Sequence, residues 1–148
     1  MDNFNIKSLN KHETEQYNKL KNLQAESGVI STLLHNPKFI FYSENLESRD
    51  FFDETNACLF WAIKQIVDSG VYEIDDFNIS NAFASNNAIQ ARMDKVGLDT
   101  IKSIMELSNF TARNNEKEYK ELVKDVKEFS NRRKLFLDLK TATSSCLN

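Results

Sequence analysis

Three glycines (Gly28, Gly70 and Gly97) and a single proline (Pro37) are all the backbone punctuation in this 148-residue chain. Average usage is roughly 7% glycine and 5% proline, so both are scarce. Sheet proteins need turn residues after nearly every strand, whereas a few long elements need very little punctuation. The expected fold class is therefore all-α. The same scarcity excludes some chemistry. Neither G-x-G-x-x-G nor G-x-x-x-x-G-K-[ST] can be assembled, so no glycine-rich loop holds a nucleotide here. The length suits one domain with its own core.

Nineteen basic residues stand against 22 acidic ones, a net charge of -3 with a pI near 5.5. Phosphate contacts dominate affinity for duplex DNA, and a domain that grips it alone carries a basic excess. This balance argues against autonomous duplex binding and leaves room only for a local basic patch. Cys58 and Cys146 are the two cysteines. Neither sits in a C-x-x-C or beside a histidine, so neither a disulfide framework nor a zinc site is expected, and two lone thiols fit a reducing compartment. The N-terminus lacks an apolar leader, and no run reaches the ~18 apolar residues of a membrane span. A cytoplasmic protein with no membrane contact is expected.

Along the chain, residues 1–22 are rich in Asn, Lys, Glu and Gln, with scattered apolar residues at Phe4, Ile6, Leu9, Tyr17 and Leu20. They read as an N-terminal arm, flexible or loosely helical. Leu23, Val29, Ile30, Leu33 and Leu34 then recur at helical spacing until Asn36-Pro37 closes the segment. Phe39, Ile40, Phe41 and Leu46 predict a short second helix, and Phe51-Phe52 an anchor from a loop into the core. A strong helix follows through Ala57, Leu59, Phe60, Trp61, Ile63, Ile66 and Val67. Its expected N-cap is Thr55 or Asn56, with a stop at Ser69-Gly70. Shorter helices are predicted through Phe77–Phe83, Ile89–Met93 and Leu98–Leu107. Phe60, Phe77 and Phe83 are assigned to the core.

From Glu116 to about Lys140 there is neither glycine nor proline, and charges surround a narrow stripe. Tyr119, Leu122, Val126, Phe129 and Phe136 follow alternating i+3 and i+4 steps, with Arg133 in the slot between the last two. A heptad-like seam of this width needs only one partner helix. The expected organisation is a compact multi-helix head at 23–110, followed by a long projecting helix at 111–148. Its stripe must pair with a hairpin partner or another subunit.

Chemistry-bearing residues are sparse. His12 and His35 have no metal-ligand spacing, and His35 falls at a helix C-terminus, where a cationic imidazole suits the dipole. Asp75 and Asp76 are adjacent and read as helix caps rather than an acid–base pair. No catalytic, cofactor-binding or metal-ligating residue is assigned. Arg132-Arg133-Lys134 is the one dense basic run, a candidate contact for DNA or an acidic partner and otherwise a solvated face near a helix end.

The order of these signals is specific. Ala25-Glu26 with Val29-Ile30 and Leu33-Leu34 fits A-E-x-x-V-L-x-x-L-L, and Asp50-Phe51-Phe52 fits D-F-[YF]. Phe60, Ile63 and Ile66, with the Ser69-Gly70 stop, fit the next helix. Ile74-Asp75 stands where a P-I-D precedes a helix. Asn115, Tyr119 and Leu122-Val123 fit N-I-x-x-Y-x-x-I-V, and Arg132-Arg133-Lys134-Leu135 fits R-R-x-[LI]. Together, over residues 23–140, they resemble the N-terminal domain of DnaB-type replicative DNA helicases. Glu73 replaces the usual proline, the usual G-G is reduced to Val96-Gly97, and Thr111-Ala112-Arg113-Asn114 stands for S-A-A-N.

The resemblance implies a helical head and a helical hairpin, of which residues 111–148 would be the first arm, truncated before its partner helix. It implies a collar domain that pairs subunits into dimers, and three dimers into a hexamer. Expected partners are a primase, a helicase loader and single-stranded DNA in the assembled ring. ATP and magnesium would act in a downstream motor domain, and this chain would itself be non-catalytic. The expected subunit interface is Tyr119, Leu122, Val123, Val126, Phe129 and Phe136. The alternative is a stand-alone helical adaptor that mimics the collar and binds replication partners. A helix-turn-helix regulator would need a basic recognition helix after a short turn, and a small enzyme would need a convergent polar cluster; the sequence displays neither.

Overall fold

The computed structural model describes residues 6–147, and the side chains of 109, 110 and 144–147 are not part of that description. Phe4 therefore lies outside the described residues, as do the side chains of Phe110 and Cys146. The chain is all-α, with no strand among the described residues. Its α-helices are α1 (Lys11–Asn18), α2 (Leu23–His35), α3 (Glu54–Asp68), α4 (Asp76–Ala84), α5 (Asn87–Val96), α6 (Leu98–Thr111) and α7 (Glu116–Leu147). Short 3-10 helices occupy Ile6–Ser8, Pro37–Tyr42 and Ser48–Asp50. No helix among the described residues is long and apolar enough to cross a membrane.

Each boundary has a local cause. The side chains of Asn10, Asn22, Asp53, Asp75 and Asn86 accept backbone N–H groups at the starts of α1 to α5, satisfying donors that a helix leaves free. Asn115 does the same for α7, accepting from Lys117 and Glu118 at 2.8 and 3.2 Å. Gly70 and Gly97 adopt φ near +90°, beyond the ends of α3 and α5. A side chain there would be strained, which is why the two elements stop at glycine.

The core is built on α2, which packs against α3, α6 and α7. Val29, Leu33, Leu59, Ala62 and Ile63 are completely buried. Hydroxyls on the same helix pin the α6–α7 connection. Thr32 Oγ1 accepts the Arg113 N–H at 2.9 Å, and Thr111 Oγ1 donates to Ser31 Oγ at 2.6 Å. Gly28 lets α7 come close, for a Cβ there would lie 2.8 Å from Leu122 Cδ1.

Two expectations are corrected, the cap of α3 and the place of Phe77, and two are made more definite, the short helix after Asn36 and the arm. The short helix at Pro37–Tyr42 is of the 3-10 type. The cap of α3 is Asp53, not Thr55 or Asn56; its carboxylate takes both of their N–H groups, at 2.8 and 3.1 Å. Phe77 is 72% exposed. It sits two residues before buried Ile79, about 200° round the helix, so it faces away from the stripe that holds Ala82 and Phe83. The arm holds a defined helix, α1, closed by a reciprocal capping box in which Asn10 accepts from Glu13 N and Glu13 accepts from Asn10 N.

Candidate interaction site on the long helix

The inner face of α7 is already partnered within the chain. Tyr119 is fully buried, its hydroxyl donating to Ser43 Oγ at 3.0 Å and its ring 5.4 Å from that of Phe39. Burial pushes the Tyr119 phenol well above the ordinary tyrosine range, because the phenolate would have to form without water; the Ser43 contact opposes this only in part. Val123 and Val126 are buried in the same core cluster, and Leu122 packs on it half-buried. Of the six residues assigned to a subunit interface, Tyr119, Val123 and Val126 are therefore not available on the surface. Leu122, Phe129 and Phe136 are half-buried on the flank. The stripe is narrow because α2 and the residues around 37–50 cover it.

Two buried carboxylates tie α2 and α7 to the loop that precedes α3. Glu26, only 1% exposed, accepts Phe52 N–H at 2.9 Å and Asp53 N–H at 3.1 Å. Asp50 accepts from Ser130 Oγ at 2.6 Å, from Glu47 N–H at 2.8 Å and from Lys127 Nζ at 3.2 Å. Arg133 completes the junction. Its guanidinium donates to the Asp50 carbonyl and the Leu20 carbonyl, each at 2.7 Å, and stands 5.5 Å from the centre of the Phe52 ring.

At 5% exposure Arg133 cannot present charge to a nucleic acid, so the basic run is not one surface. Arg132 is exposed and paired with Glu128 at 2.7 Å, and Lys134 is exposed. The slot that Arg133 fills in the apolar stripe is the junction where α7 crosses the 50–52 loop and the arm.

Beyond Arg133 the partner of α7 is the arm. Tyr17 stands 6.0 Å from Phe136 and 6.3 Å from Phe52, ring to ring, and Lys140 Nζ pairs with Glu13 at 3.1 Å. Opposite the buried stripe, at 100° per residue, lies an outward face that is charged along Lys117, Glu121, Lys124 and Glu128 and turns apolar at Leu135 and Leu139. Each leucine is 58% exposed, one turn from the other. Leu135 also borders a shallow groove of about 730 Å³ between the helix and Tyr42.

The other singled-out residues lie elsewhere. His35, at the end of α2, meets buried Ser108 Oγ at 2.9 Å, and His12 is exposed on α1. Asp75 caps α4 through Asn78 N–H at 2.7 Å, while Asp76 is exposed. Cys58 is buried, and desolvation raises its thiol above the usual range, with Arg92 acting against the shift. No group of three or more His, Cys, Asp or Glu among the described residues could hold a metal ion.

The architecture is thus a helical head packed against one long helix, with a leucine pair exposed on that helix's outer face. The family profile for the DnaB-like helicase N-terminal domain matches residues 18–125, and the chain belongs to that family. The family carries the general role of a helicase collar domain that assembles with copies of itself. Comparison with curated proteins gives no match. The match ends at residue 125, whereas Arg133, Phe136, Lys140 and the leucine pair lie beyond it, and α1 begins before it.

Proposed function

We propose that this chain is a collar domain of a hexameric replicative helicase, pairing subunits through the outward face of α7. The observation that carries the reading is the Leu135–Leu139 pair. Burying two leucines that are each 58% exposed would yield roughly 2–3.5 kcal/mol at a contact, while the inner face already has its partner. Phe136, half-buried on the adjoining flank, is covered by Tyr17 of the arm and lies outside this leucine edge. Isologous pairing of this edge gives a dimer, and three dimers give the ring. Primase, a loader and the single strand threading the ring are the partners proposed for the assembled collar. ATP and magnesium belong to a separate motor domain, and the compartment is the cytoplasm.

Sedimentation velocity tests the pairing. The wild-type chain is expected to self-associate as its concentration rises, and a Leu135→Asp/Leu139→Asp variant to stay monomeric with an unchanged far-ultraviolet spectrum. Identical concentration dependence in the two proteins removes this face from the interface.

A further inference from the structure

The arm reaches α7 by a different route from every other element. α1 buries none of its own residues, so it does not pack on α7 helix against helix. It touches through side-chain tips: the Glu13–Lys140 ion pair, the Tyr17 ring between Phe52 and Phe136, and, just after the helix, the Leu20 carbonyl held by Arg133. Leu9 and Leu137 are both buried yet stand outside the main core cluster. The proximal half of α7, from Tyr119 to Val126, belongs to that cluster and needs nothing from the arm. Beyond Arg133 the distal half meets the rest of the chain through these lighter contacts, of a kind that opens more readily than a packed core.

These contacts lie on the Arg133–Phe136–Lys140 flank and leave Leu135 and Leu139 uncovered. The arm therefore does not block the outward face; it steadies the segment that carries it. We propose that residues 6–22 form a detachable brace that holds the distal half of α7 in its pairing-competent pose, so that release of the arm weakens self-association. The proposal rests on the pairing face assigned above and adds its regulation. The occupant of the α7 flank is this chain's own arm, and the switch is its release.

Glu13 is the residue to perturb, because it contributes twice: it accepts from Asn10 N–H within the capping box and pairs with Lys140. Both contacts hold its carboxyl below the ordinary range, the Asn10 N–H being the larger influence. In the full chain, Glu13→Lys places two cations together and should release the arm. Hydrogen exchange is expected to speed up about fivefold to tenfold at residues 133–143, as a half-buried pair and its repulsive replacement allow. Exchange at residues 116–126 should not change. The self-association constant should weaken by a comparable factor. The charge swap Glu13→Lys/Lys140→Glu should restore both readings in part, which a general loss of fold would not do.

Unchanged distal exchange in Glu13→Lys refutes the brace. Faster distal exchange with unaltered self-association refutes its control of pairing. A wild-type chain that never associates overturns the regulatory proposal with the pairing face beneath it, while the exchange data still report whether the arm braces the helix.

Discussion

Replacing Arg133 with methionine tests whether the α7 junction is held as described. Methionine keeps the apolar stem and removes the guanidinium, leaving the Asp50 and Leu20 carbonyls without the donors that reach them at 2.7 Å. A hydrogen bond from a charged donor contributes about 1.5–3 kcal/mol, so the gross loss is roughly 3–6 kcal/mol for two. Removing a buried cation relieves desolvation and offsets part of that loss. No carboxylate is paired with this guanidinium in a salt bridge among the described residues, so the variant strands no buried anion. The net cost expected is about 3 kcal/mol, or a melting temperature lower by about 10 °C for a chain of this size. Urea titration followed by Trp61 fluorescence and by far-ultraviolet dichroism measures it. Arg132→Met, one residue away but exposed, paired with Glu128 and set 4.6 Å over the Phe129 ring, should stay within ~1 kcal/mol of wild type. Arg133→Met matching wild type to that margin, or Arg132→Met costing as much, would refute the carbonyl clamp.

Val126→Asp places a carboxylate among buried apolar side chains of the chain's own core and should cost about 4 kcal/mol or more. Its signature is loss of the cooperative melt, not a folded monomer; a folded, merely dissociated protein would restore Val126 to the subunit interface. Tyr119→Phe removes the hydroxyl that donates to Ser43 and should cost about 1 kcal/mol at neutral pH. The folded-state pKa of Tyr119 is raised, so its contribution is fully present below the ordinary value of 10 and declines as pH rises above it. Stability curves between pH 9 and 11.5 should therefore fall more steeply for wild type than for Tyr119→Phe, and parallel curves would contradict the burial of this phenol.

How far the sequence could be read depended on the range of the interactions involved. Long helices followed from helical spacing and the shortage of Gly and Pro, because both are local properties. The head and the long helix were placed on the same grounds. Phe77 was misassigned because an apolar residue in a first turn says nothing about which side of the helix faces inward. The fate of the α7 stripe could not be read at all: spacing shows that Tyr119 and Val126 want a partner, but not whether α2 or another subunit supplies it. Arg133 is the sharpest case. A cation at a stripe position was visible as an interruption, while its two carbonyl acceptors lie 83 and 113 residues away in the chain. Glu26 gave the same kind of signal, an acidic residue beside an apolar helix face. The arm's contact with α7 left only a weak trace, an isolated tyrosine in a polar segment.

The clasp between the arm and α7 also fixes an order of events during synthesis. Leu20 leaves the ribosome 113 residues ahead of the arginine that binds its carbonyl, which at 5–20 residues per second is a wait of roughly 6–23 s. Phe136 and Lys140, which Tyr17 and Glu13 meet, follow later still. A segment that must stay idle in solution is better built from Asn, Lys, Glu and Gln than from leucine, and α1 is composed in just that way. The thin apolar content of the arm, which makes its grip on α7 light in the finished molecule, also keeps the unfinished one from adhering to its neighbours.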